Sequence, residues 1–512
     1  MNPSNYAPFP AIQRWEEAGA SLLSTLKHYK TLCLTLASES LLKDARPNDL
    51  VAKIISAFEL HAAISQQLLE SDSALQKVRN KLVSPFFRLP EEIILNIFTD
   101  FVYGPNDREA HIPPSVAHDV RLIYRRLYTL IGVCSGWKYI AVNGPKLWSV
   151  IPMIELTTQQ QPFRVSLQRA GASKLYLTAT NDLPTISDDL VDVLTKHHPY
   201  FYAINLSARD PDVVRDALDT LVRAGNPGSL AKLSIRAGQT YYMNSRLPKK
   251  PDYVIPHDHP QLYLLTNMLQ GLTTFHTNGA LIHWNTLAFS TRLVELCISD
   301  IMLGYDDKII PFLQTLSSAS ELRDINLISV QTFHSPTFTA SMIKTSSQPV
   351  RFPNLQSLFL RDIHYNTLRF LLPLIAPGSH RLTLFLTPKC LRIKDLEDVD
   401  SDEDEVEDSV NVADLCKILE SVPVDTLMIT GYLHPGWLTS DMIYSLLEAM
   451  PTLKTFKIDS WMFDHNLWEK ISRSPGAGED RESLPFPMLE NLYLTWQAAH
   501  FGESYSGDFL LA

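Results

Sequence analysis

Ten short segments of this 512-residue chain place apolar residues at the first, fourth and sixth of six positions, and nothing else in the sequence narrows its fold as much. The clear cases are FYAINL (201–206), LAKLSI (230–235), LVELCI (293–298), LRDINL (322–327), LQSLFL (355–360), VDTLMI (424–429), LKTFKI (453–458) and LENLYL (489–494). ASKLYL from 172 and LTTFHT from 272 fit more loosely. The separations 172 to 201, 201 to 230, 293 to 322 and 424 to 453 are each 29 residues. Alternation at the end of each hexad reads as a strand buried on one face. Amphipathic stretches lie between them, among them DDLVDVLTKHH, DVVRDALDTLVRAG, KIIPFLQTLSS, DLCKILES and DMIYSLLEAM. One strand and one helix cannot bury their apolar sides alone, so such units must stack on their neighbours.

This period and alternation resemble leucine-rich repeats. They imply an α/β chain in which residues 152–512 form an irregular leucine-rich-repeat solenoid. Pro353, Pro451 and Pro487 each stand two residues before a hexad, where their fixed φ suits an extended chain leaving a helix. The asparagine usual after such strands is missing from most units, and segments such as 237–260 read as insertions. Side chains alternating with the buried ones face the other way. The candidates for contact with a protein target are therefore Tyr176, Arg236, Phe359, Arg361, Lys457 and Tyr493, with Lys174 and Lys232 beside them. A mixed basic and aromatic surface suits protein recognition.

The net charge of −11 is local. Residues 395–408, DLEDVDSDEDEVED, carry ten acidic side chains and no basic one, and removing that −10 leaves the rest at about −1. The balance gives no nucleic-acid footprint. The acidic run reads as a solvated insertion, and Ser401, followed by Asp-Glu-Asp, is a candidate phosphorylation site for an acidophilic kinase. No apolar run reaches the roughly 18 residues of a membrane span, and MNPSNYAPFP lacks a signal core, so a cytoplasmic or nuclear chain is expected. Five dispersed cysteines (33, 134, 297, 390 and 416) read as reduced and structural. Dinucleotide, P-loop and zinc-protease signatures are all absent. His257-Asp258-His259 has no third ligand at metal spacing. The expectation is a protein without catalytic residues, cofactor or metal.

Residues 1–83 read as a helical hairpin or coil. Leu22, Leu26, Tyr29, Cys33 and Leu36 have coiled-coil spacing, Arg46-Pro47-Asn48-Asp49 interrupts it, and Val51, Ile55, Phe58, Ala62 and Leu69 follow. Packing on the rest of the chain and dimerisation are both compatible with these two series. The next helix, within FFRLPEEIILNIFTDFV (86–102), is apolar on two adjacent columns: Ile93, Ile97 and Phe101, then Ile94, Phe98 and Val102. That is wider than a surface helix needs. Either both columns are sandwiched, or one is kept for a partner. A further helical run, RLIYRRLYTLIGVCSGWKYIAV, ends at Asn143-Gly144-Pro145, where glycine is expected in a left-handed cap.

Taken together, residues 84–151 resemble an F-box, most closely the F-box-like proteins of mushroom-forming fungi. The resemblance rests on Leu89-Pro90-Glu91-Glu92 opening a helix with Ile93, Ile97 and Phe98, on Val133-Cys134-x-x-Trp137-Lys138, and on Pro145-x-Leu147-Trp148, with 103–118 as an insertion. It implies a small all-α module docking on the Skp adaptor of a cullin-RING ubiquitin ligase, with the repeats capturing a protein substrate. The adaptor-binding candidates are Leu89, Pro90, Ile93, Ile94, Ile97, Phe98, Val133, Trp137, Leu147 and Trp148. Burying Ile93, Ile94, Ile97 and Phe98 yields roughly 6–12 kcal/mol gross, against about 4–15 kcal/mol for association. The other candidates must therefore join or order that surface. The alternative is a non-degradative interaction scaffold with a diverged F-box.

Overall fold

The computed structural model describes residues 10–40, 47–83, 85–104, 116–154, 161–181, 183–225, 228–238, 246–335, 350–375, 380–396, 409–431, 436–461 and 488–495. The chain is α/β, with a helical N-terminal region and a large parallel sheet. It divides into two compact units, Met1–Ile94 and Leu95–Ala512.

The first unit holds α1 (Pro10–Ser40) and α2 (Pro47–Val83). Tyr29 meets His61 edge-on with ring centroids 5.5 Å apart, and with so short a connection this makes an antiparallel hairpin. The half-buried side chains are Leu26 and Tyr29 on α1 and Ile54, Ala57 and Ile64 on α2. The other α2 series, Val51, Ile55, Phe58 and Leu69, is 54–66% exposed. Two apolar columns run side by side on α2, and α1 covers the one that starts at Ile54. A 3₁₀ turn, Pro85–Arg88, then leads into α3 (Glu91–Tyr103). Pro90 opens α3 as expected: its carbonyl accepts the amides of Ile93 and Ile94 at 3.0 and 3.1 Å, while Glu91 and Glu92 complement the dipole of the first turn.

In the second unit the run from 121 to 142 is two helices rather than one. The helix α4 (Val116–Val133) stops before Cys134, which is extended (φ −162°) and caps α5 (Ser135–Asn143), its thiol accepting the Trp137 amide at 3.5 Å. Gly144 ends α5 in an extended conformation (φ −84°), which corrects the expected left-handed cap. Glycine is required there for space. A Cβ would press on Leu95 Cδ1 and lie 3.1 Å from the Ile140 carbonyl oxygen.

Fourteen strands follow in the described residues. They are β1 (Val150–Ile154), β2 (Leu175–Asn181), β3 (Phe201–Ala208), β4 (Lys232–Ala237), β5 (Tyr253–Ile255), β6 (Thr274–Asn278) and β7 (Leu281–Ile282). Then come β8 (Glu295–Tyr305), β9 (Asp324–Phe333), β10 (Ser357–Arg361), β11 (Arg381–Leu386), β12 (Thr426–Thr430), β13 (Thr455–Asp459) and β14 (Asn491–Thr495). All but β5 and β7 pair in chain order as one parallel twelve-stranded sheet. Every hexad from the sequence supplies a strand of it. Leu296, Ile325 and Leu358 are register partners on β8, β9 and β10 and have no exposure.

The connecting helices are α6 (Gln161–Ala170), α7 (Asp188–His197), α8 (Pro211–Ala224), α9 (Leu262–Gln270), α10 (Ile309–Ser317), α11 (Tyr365–Ile375), α12 (Val412–Leu419) and α13 (Ser440–Glu448). Ser187, Asp210, Asn411 and Thr439 cap four of them by accepting backbone amides. On α8, Val214, Leu218 and Leu221 form the buried face at helical spacing.

Past the strands the chain departs from a regular repeat in a consistent way. Gly279, just past β6, Asp300 on β8, Ser329 on β9 and Asp362, just past β10, stand at one step beyond the shared register row and all have positive φ. The next residue, where an asparagine is usual, is Ala280, Ile301, Val330 or Ile363, each buried. An apolar ladder thus replaces the amide one, and the polar side chains sit one step earlier. Asp362 accepts from Ser329 Oγ (2.6 Å), Thr387 Oγ1 (2.8 Å) and Lys389 Nζ (2.6 Å). Burial alone would raise its pKa, but the Lys389 ammonium and these bonds leave it below the ordinary carboxylate value. Deeper in, the fully buried Asp306 accepts from Thr332 Oγ1 (2.6 Å) and Asn366 Nδ2 (2.9 Å), which ties the end of β8 to β9 and α11.

Candidate functional site

The two columns of α3 have different fates. Ile94, Phe98 and Val102 are at most 3% exposed, whereas Ile93, Ile97 and Phe101 are 45%, 42% and 47% exposed. Of the adaptor-binding candidates in the first unit, Leu89, Pro90 and Ile93 are therefore at the surface and Ile94 is core. Among those of the second unit, Ile97 and Val133 are exposed, Trp137 is half-buried, and Phe98, Leu147 and Trp148 are buried.

Each buried aromatic has a defined seat. Phe98 packs on Trp137 with ring centroids 4.9 Å apart. The Trp148 indole donates to the Ala141 carbonyl at 2.8 Å, and the Arg169 guanidinium lies 4.2 Å above its ring. Tyr103 donates to the Leu147 carbonyl at 3.0 Å, and Tyr124 to that of Val150 at 2.8 Å, so α3 and α4 are fixed to the chain entering β1. Burial pushes both phenol pKa values up, so both stay proton donors. In effect, Phe98, Leu147 and Trp148 build the platform and Ile97, Phe101 and Val133 present its surface. Phe101 was not a sequence candidate, although its place two turns beyond Ile93 was the available signal.

The six target-binding candidates all lie on the sheet face opposite the hexad side chains. Four occupy one register row, which runs Arg236, Asn278, Ser299, Ile328, Arg361, Phe385, Met428, Lys457 and Tyr493 from β4 to β14. Phe359 is one row away on β10, and Tyr176 stands on β2 in register with Ala203. Lys457 Nζ lies 5.0 Å over the Tyr493 ring, and Arg361 lies 4.7 Å over Phe385. Tyr176 packs on Tyr202 at 5.5 Å, with Lys174 Nζ 4.5 Å over that second ring. Tyr202 and Phe385 are the residues missed in the sequence. At about 4.8 Å per strand, Arg236, Arg361 and Lys457 stand roughly 14–19 Å apart from one to the next. The arrangement offers a broad surface rather than one pocket.

Other candidates are placed elsewhere. Within the Pro-rich loop His257 meets His283 edge-on, Asp258 pairs with Lys250, and His259 Nδ1 accepts the Gln261 amide at 3.1 Å. No cluster of three or more metal-ligating side chains occurs among the described residues. Among those residues, no helix is long and apolar enough to cross a membrane. Ser401 lies outside the described residues.

No family model and no curated protein matches the chain. Among solved structures it is similar to a chain of the Rad7–Elc1 complex from yeast, at 14% identity over 88% of this chain and 98% of that one. The TM-score is 0.27, too low to support an argument about fold or function.

Proposed function

We propose that the chain is the substrate-recognition subunit of a Skp–cullin–F-box ubiquitin ligase and is itself non-catalytic. The F-box-like region around α3 docks on the Skp adaptor. Residues 152–512 act as an irregular leucine-rich-repeat solenoid that holds a protein target, and ubiquitin transfer follows from proximity to partners assembled on the cullin. The strictly sequential parallel order of the sheet supports the solenoid reading.

One observation carries the adaptor assignment: α3 buries one apolar column and leaves Ile97 and Phe101 of the other at the surface, with Val133 on α4 54% exposed. A helix that served only its own core would not need that second column. Leu89 (39% exposed) and Ile93 extend the exposed apolar set in the first unit. Five such side chains, each about half exposed, yield roughly 4–8 kcal/mol on full burial, at the lower end of the 4–15 kcal/mol that association costs. The docking surface must therefore extend beyond α3.

The test is co-purification of the full chain with a Skp adaptor, wild type against Ile97→Asp/Phe101→Asp. Adaptor retained by the wild type and lost by the variant, at an unchanged unfolding midpoint, is the expected result. A folded wild type that retains no adaptor, or a variant that retains it fully, overturns the assignment.

A further inference from the structure

Tyr29 lies against His61 where α1 meets α2. Counting outward from that pair in opposite directions sets Leu22 opposite Leu68, Trp15 opposite Leu75 and Ile12 opposite Val78, at steps of seven, seven and three on both helices. These are seam positions, yet the six side chains are 43–57% exposed. The second column of α2, Val51, Ile55, Phe58 and Leu69, is exposed by 54–66%. One hairpin thus carries a seam that two helices leave open and, beside it, a column that α1 does not cover.

We propose that this hairpin is a self-association module, in which α1 and α2 pack against the same pair of a second copy of the chain as a four-helix bundle. Charge does not oppose a second copy. Residues 10–40 carry three basic and three acidic side chains, and residues 47–83 four of each, so two hairpins meet without net repulsion.

The available area agrees. Full burial of one such side chain removes roughly 60–120 Å² of apolar surface, taking 1.5–3 kcal/mol at 25 cal/mol per Å². The ten side chains named above, about half exposed, together offer roughly 300–600 Å² per copy. Apolar atoms make up somewhat more than half of a typical interface, so the whole contact reaches roughly 500–1,100 Å² per partner. A stable complex needs about 800 Å². Helices of 31 and 37 residues are about 46 and 55 Å long, long enough for such a bundle.

The experiment is light scattering on the full chain after size exclusion, across a hundredfold range of concentration, with Ile55→Asp/Phe58→Asp/Leu69→Asp as the variant. Twice the monomer mass for the wild type and a single monomer mass for the variant, with equal helicity by circular dichroism, is the expected pair. A wild type that stays monomeric at tens of micromolar overturns the proposal, as does a variant that stays dimeric. Should the triple variant lose helicity, Phe58→Ala alone must weaken the dimer at least tenfold by sedimentation equilibrium. An unchanged dissociation constant for that variant also overturns the proposal.

Discussion

The hairpin and the sheet unit use the same kind of side chain to opposite effect. On β13, Phe456 has no exposure; on α2, Phe58 is 64% exposed. Both belong to regular apolar series that the sequence displays plainly. From β2 to β13 the sheet supplies its own cover, because each strand is flanked by strands and the side chains at the fourth and sixth hexad positions are buried; on the last described strand, β14, Leu492 and Leu494 are 36% and 41% exposed. The hairpin has only two helices, each long enough to need more. Periodicity therefore tells which residues share a face, and the number of neighbouring elements decides whether the face is closed.

The largest expected effect tests that contrast directly. Phe456→Ala should lower the free energy of unfolding by about 3–5 kcal/mol, since it opens a cavity in a packed core. Phe58→Ala should cost less than about 1 kcal/mol in monomer stability, because most of that ring is already in water. Urea unfolding of both variants at a concentration that keeps the chain monomeric reads the difference. Equal losses would mean that the hairpin is as closed as the sheet.

A second test puts charge where the sheet unit is most enclosed. His364, which opens the turn into α11, is 8% exposed, and its Nδ1 has no hydrogen-bond partner. Burial, then the nearby Lys394 and Lys389, lowers its pKa to about 3. The unfolded chain takes up this proton near pH 6.5. The stabilising contribution is therefore whole above about pH 6.5 and is lost as pH falls towards 3, by up to about 1.4 kcal/mol per pH unit. His364→Gln should flatten the pH dependence of the unfolding midpoint between pH 6 and 4 relative to wild type. Parallel curves for the two proteins would place His364 in water.

Much of this organisation was legible. All ten hexads became strands because the units stack, and in nine of them the fourth and sixth positions are buried. The gaps have local causes. The strand β11 was missed because Ser379 stands at the first position of its hexad, and β1 because Ser149 and Pro152 interrupt the pattern. Pro152 is tolerated because β1 is an edge strand. At the candidate site the two columns of α3 were visible, but which of them is covered depends on Phe98 meeting Trp137, a contact between elements that spacing cannot encode. The row joining Arg361 to Lys457 runs through β11 and became visible only with that strand in place.

The smallest expected effect asks whether the helical part of the second unit is as tightly closed as its sheet. Gly144→Ala needs no unusual φ, so any cost must come from crowding. The new methyl would push Leu95 Cδ1 aside and sit 3.1 Å from the Ile140 carbonyl oxygen. Leu95 is a flexible side chain and can yield; the carbonyl is backbone at the end of α5 and cannot move without loosening the turn that seats Leu147 and Trp148. The balance predicts a loss of about 1–2 kcal/mol, read as a shift in the urea midpoint, with weaker adaptor retention only if the surface of α3 moves with its platform. A neutral substitution would show that the junction of α5 with Pro145–Trp148 adapts. The exposed column of α3 would then rest on a softer base than the strands that follow it.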